Sequence, residues 1–91
     1  MTFRLREGVE PASFLQLDAQ IQTEVAYQQP GLLRRTAGRS DTDRWLILQT
    51  WATGDAADLG RAALNSSPLW LELDAMVEPE SVRLERFVGL D

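Results

Sequence analysis

The side chains that could do chemistry in this chain are few, and each has an ordinary alternative role. Tyr27 is the only phenol; with a hydroxyl that both donates and accepts on an apolar ring, it could orient an aromatic ligand or pack a helix end. Trp51 and Trp70 could wall a cavity for a planar molecule, or fill a core. Asn65, the only asparagine, could polarise a ligand carbonyl or end a helix. Gln49 is polar on an otherwise apolar strand centre and needs a partner if buried, either a ligand or a cross-strand side chain. Arg35, among the strand arginines Arg4, Arg6, Arg34, Arg83 and Arg86, could receive an anion through a two-point contact or form a salt bridge. Asp18 and Glu24 could act as bases if buried, but a helix carboxylate is more often solvated.

What is absent narrows the chemistry further. There is no His, Cys or Lys, and all nine basic residues are arginine. The commonest general base, the thiolate nucleophile, Schiff-base chemistry and the usual zinc and haem ligands are therefore missing. The reading implies no cofactor and no metal. A net charge of −5 with arginines scattered among acidic residues argues against nucleic acid as a partner. No apolar run approaches the roughly 20 residues that span a bilayer, and none has the layout of a signal peptide, so no membrane association and a cytoplasmic location are expected.

The elements that must position these side chains follow from periodicity. Residues 1–91 read as a single domain with 44% hydrophobic residues; a chain this short buries only about two-thirds of its unfolded surface, so a partner chain would help it. Alternation predicts a strand over 2–7, with Phe3 and Leu5 on one face. Pro11 opens a helix whose stripe is Phe14, Leu17, Ile21, Val25 and Gln28, and Pro30-Gly31 stops it. A hairpin follows, with strands over 32–37 and 44–51 around a polar turn at 38–43. Thr53 or Asp55 caps a short helix over 56–64, Ser67-Pro68 opens another through Met76, and a last strand is predicted over 81–88.

Strand, helix, strand, strand, helix pair, strand folds into an α+β, ferredoxin-like βαββαβ arrangement: a four-stranded antiparallel sheet with helices on one face. In the third strand Leu46 and Leu48 alternate against Trp45, Ile47 and Trp51. The open face is expected to carry the second set together with Phe87. Trp45, Ile47 and Phe87 are accordingly the candidate dimer-interface residues, since a patch so apolar asks for cover from a second copy.

On these features the whole chain resembles the dimeric α/β-barrel superfamily, in particular its antibiotic-biosynthesis-monooxygenase-like (ABM-like) branch. The resemblance rests on the layout, on Pro30-Gly31 directly before the second strand, on Trp51 closing the third, on Ala56 early in the following helix, and on Ser67-Pro68 before a last aromatic turn. It implies a homodimer whose two sheets close a barrel, with a ligand cavity between sheet and helices in each subunit. Members include oxygenases that use neither metal nor flavin on electron-rich polyphenols, and enzymes that degrade haem. The haem-degrading pattern fails here: the first strand has no Asn, Gly60 stands where its Trp would fall, and there is no His. The resemblance thus implies a cofactor-independent oxygenase acting on an aromatic or apolar small metabolite. The alternative is a non-catalytic ligand-binding or structural dimer. A pocket lined by Tyr27, Gln49 and Asn65 would favour the first; a space filled by side chains would favour the second.

Overall fold

Pro11 at the head of a run with apolar residues at helical spacing starts α1 (Pro11–Glu24), in a computed structural model that describes residues 1–90. The helix stops at Glu24, earlier than its stripe suggests, and a short 3₁₀ turn (Ala26–Gln28) carries the chain to Pro30. Gly31 then takes a positive φ of 84°, and a side chain there would collide with Ala56, so the Pro30-Gly31 turn needs its glycine. The remaining elements are β1 (Thr2–Phe3), β2 (Leu32–Arg39), β3 (Trp45–Trp51), α2 (Gly54–Asn65) and α3 (Pro68–Met76), with a 3₁₀ turn at Pro79–Ser81. Thr53 accepts a hydrogen bond from the Ala56 amide and Ser67 one from Leu69, capping α2 and α3 in the manner their side chains permit.

The sheet is antiparallel in the order β1-β3-β2. It has three strands, not the four expected. The predicted strand over 81–88 is reduced to a single bridge between Thr2 and Arg83. Carried forward, the register of that bridge takes Glu85 and Phe87 past the end of β1, where they meet no strand. β1 itself is shorter than the alternation over 2–7 suggests, because Leu5 leaves β3 and bridges Val77 after α3 instead.

The helices lie on the face that carries Trp45 and Ile47. Phe3 pairs with Trp45 in the sheet, and Phe14 of α1 packs between them, its ring 5.5 Å from Phe3 and 4.9 Å from Trp45. Ile21, Leu64, Leu73 and Val77 complete the buried cluster. The alternation in β3 is thus as read, but its sides are exchanged: Trp45 and Ile47 are core, and Leu46 and Leu48 lie on the uncovered face. Energy explains the choice. Only one face receives helices, and a Trp and an Ile stacked on Phe3 and Phe14 remove more apolar area from water than two leucines do. Phe87 stands 80% exposed in the extended C-terminal segment.

One irregularity positions a functional side chain. Leu32 pairs with Trp51, but Arg34 pairs with Thr50 and Arg35 with Gln49, so Leu33 is an extra residue in β2. This bulge puts Leu32 and Arg35 on the same face although they are three residues apart.

Candidate functional site

Asp18 lies on the same side of α1 as Phe14, Leu17 and Ile21, and all four are buried. Turned toward the sheet, it meets the guanidinium that the bulge has brought inward: Arg35 Nη1 donates to Asp18 Oδ1 at 2.7 Å, with side chains only 1% and 2% exposed. Gln22, one turn along α1, donates to the other carboxylate oxygen at 2.8 Å. Arg35 Nε donates to Gln49 Oε1 at 3.2 Å, a cross-strand contact between paired residues. Tyr27 closes the cluster from the 3₁₀ turn. Its hydroxyl accepts from the Arg35 amide at 2.9 Å and donates to the Arg35 carbonyl at 3.2 Å.

Burial draws the Arg35 guanidinium down from its ordinary range, with Asp18 and then Tyr27 opposing the shift. An ion pair this deep is held by its full set of hydrogen bonds rather than by Coulomb attraction alone, since removing both charges from water is costly. Among the described residues no buried side-chain nitrogen or oxygen lacks a partner. The cluster is a closed circuit in which Asp18 is committed to Arg35 and Gln22, and Tyr27 to the backbone of β2.

Three of the candidate ligand-binding residues, Tyr27, Arg35 and Gln49, therefore converge, and they do so on Asp18, a candidate base. The others do not join them. Trp51 is half-buried and lies against Gly60 of α2, where a Cβ would overlap its ring. Trp70 is half-buried against the core cluster. Asn65 is the exposed last residue of α2. Asp18 belongs at the centre, where a solvated helix carboxylate was the ordinary expectation; its position next to Leu17 and four residues after Phe14 is the signal for burial. Gln22 was missed, and only its spacing of four from Asp18 hints at it.

Two depressions open on the surface at the hairpin end of the sheet. One, of about 380 Å³, is lined by Thr2, Gly38, Arg44 and Leu46 among others. The second, of about 220 Å³, lies beside Arg4, Pro11, Asp43 and Glu78. Neither is lined by Tyr27, Arg35, Gln49, Trp51, Asn65 or Trp70. Among the described residues no three His, Cys, Asp or Glu side chains gather to hold a metal ion, and no helix is long and apolar enough to cross a membrane. Comparison of the chain with protein-family models, with curated proteins and with solved structures gave no match in any of the three.

Proposed function

We propose that this chain is the subunit of a small cytoplasmic homodimer of the ABM-like type, in which a second copy covers the open sheet face. We further propose that the dimer works by binding or assembly, without nucleic acid, metal or cofactor. The observation that carries this reading is the contrast between the two faces of β3. On the helix side, the polar groups that could address a ligand are bonded to one another. On the other side, Leu46 and Leu48 remain in water, at the centre of a sheet that a second sheet would close. Sedimentation equilibrium tests it: about twice the monomer mass of 10.2 kDa is expected, and a monomer at micromolar concentration would refute it.

A second reading, a cofactor-independent oxygenase acting on an aromatic or apolar metabolite, is favoured by one observation. A charged pair, a phenol and an amide converge at β2, and a phenolic ligand that displaced their mutual hydrogen bonds would meet donors and acceptors already oriented. Oxygen uptake with a panel of polyphenols tests it. Turnover that falls in Tyr27→Phe with the fold retained would support it; no uptake with any of them leaves the binding role.

A further inference from the structure

Gly38 is a glycine that the folded chain itself does not require. Its φ lies outside the left-handed region, and a Cβ built there would meet nothing within 4 Å, so neither backbone nor packing excludes a larger residue. Within a strand a glycine has no side chain to pack, and one reason for it is the close approach of something else. The register shows where that approach is made. Thr2 pairs with Leu46 and Leu46 with Gly38, so the three form one row across β1, β3 and β2, and paired side chains share a face. That face is the uncovered one. With a short side chain at one end and none at the other, the row leaves the depression of about 380 Å³ described above, bounded toward the hairpin by Ser40 and Arg44.

Arg44 gives the depression a charge. Its Nη2 donates to Thr2 Oγ1 at 3.1 Å and to the Ser81 carbonyl at 3.3 Å. Thr2 lines the depression and Ser81 does not, so the guanidinium is fixed at the margin. Among the described residues its Nε and Nη1 have no acceptor and the side chain has no carboxylate partner. A positive charge held in place and left unneutralised, in a chain of net charge −5, is matched by an anion from outside. The smaller depression lacks this property: Arg4 and Arg39 line it together with Asp43 and Glu78, and Arg39 is already bound to Asp43. Beside the Arg44 charge, the surface over Gly38 and Leu46 is apolar, and its floor is the backbone of a sheet. The volume of about 380 Å³ falls within the range of small-molecule sites.

We propose that the depression over Gly38 binds a small arylcarboxylate: the ring lies on the backbone at Gly38 beside Leu46, and the carboxylate accepts from the guanidinium of Arg44. All of these groups belong to one copy, so the site goes beyond the homodimer proposed above without resting on it. In that homodimer the second sheet would roof the site.

The test is a nuclear magnetic resonance titration of the isotope-labelled full chain with naphthoate, and with naphthamide as its uncharged counterpart. Saturable amide shifts centred on Thr2, Gly38 and Leu46 are expected, with the acid bound about tenfold or more tighter than the amide. Arg44→Gln is expected to bring the acid down to the affinity of the amide. Gly38→Val, which fills the floor, is expected to weaken both probes about tenfold. Acid and amide binding the unaltered chain equally, within about threefold, would overturn the proposal without recourse to any variant. So would an absence of saturable shifts at those three residues, or a preference for the acid that survives Arg44→Gln. Sedimentation of the same samples keeps the two readings apart, since mass reports the homodimer and the probe shifts report the site.

Discussion

The Trp51 ring lies directly on the backbone of Gly60, so that only this indole separates β3 from α2 there. A single added carbon has nowhere to go, because the opposing atoms are the rigid six-membered ring of an indole. Gly60→Ala is therefore expected to destabilise the fold by roughly 1 to 3 kcal/mol, despite the better helix propensity of alanine. Urea unfolding followed by tryptophan fluorescence measures it; a Gly60→Ala chain more stable than the parent would show that the ring moves aside freely.

The Asp18–Arg35 pair gives a non-additive prediction. Asp18→Leu or Arg35→Met alone leaves a buried charge without its counter-charge and should cost about 3 to 5 kcal/mol. Replacing both together, as Asp18→Leu with Arg35→Met, should recover most of that loss, because an apolar pair pays no desolvation. A double-mutant cycle with no coupling energy would mean that the two charges do not depend on each other.

Tyr27 occupies the outer edge of β2 where a further strand would otherwise bond, holding both the amide and the carbonyl of Arg35. Tyr27→Phe removes both contacts from a half-exposed position and should cost about 1 kcal/mol. Its specific signature is local: the Arg35 amide should exchange with solvent faster by roughly tenfold, while amides of β3 keep their protection.

The α-amino group gives a pH dependence that is easy to isolate, since the chain has no His or Cys. It donates to the Ile47 carbonyl at 2.9 Å. Burial lowers its pKa from the ordinary 8.0, and the nearby Glu85 carboxylate opposes the shift. Near and below 8.0 the unfolded chain therefore binds more protons at this site than the folded one. The stability penalty is present at pH values below the folded pKa and is lifted as pH rises through it toward 8.0. A small rise in the urea midpoint as pH rises toward 8.0 is expected, and blocking the amine by acetylation should flatten it.

Much of the architecture was legible because its signals are local. Pro11, Pro30-Gly31, Thr53 and Ser67-Pro68 act on their own backbone neighbourhood, and each marks an element boundary near where the structure has one. The alternation of β3 was equally plain, yet which side faces the helices depends on Phe14 arriving from α1, a long-range fact that a period of two does not contain. The missing fourth strand has the same origin: residues 81–88 have the right pattern, but a strand also needs a partner, and β1 ends before it could be one. In the polar cluster, Tyr27 stood out as the only phenol and Gln49 as a polar residue on an apolar strand, whereas Arg35 was one of six strand arginines. Their convergence on Asp18 needed the bulge at Leu33, which no residue type in β2 announces.

That bulge sits before two identical side chains, Arg34 and Arg35. Without it, the ladder continued from Leu32–Trp51 would aim Arg34 at Asp18 and turn Arg35 outward, and the residues that change sides after them are Thr36, Ala37, Gly38 and Arg39, the last leaving its place over the Trp45 ring. Were β2 to take that second setting, an arginine would answer Asp18 in both. Nuclear Overhauser contacts from Ile47 distinguish them, to Ala37 in the setting seen here and to Thr36 in the other. Two arginines in a row would thus spare the buried pair from a one-residue slip that would leave most buried carboxylates alone.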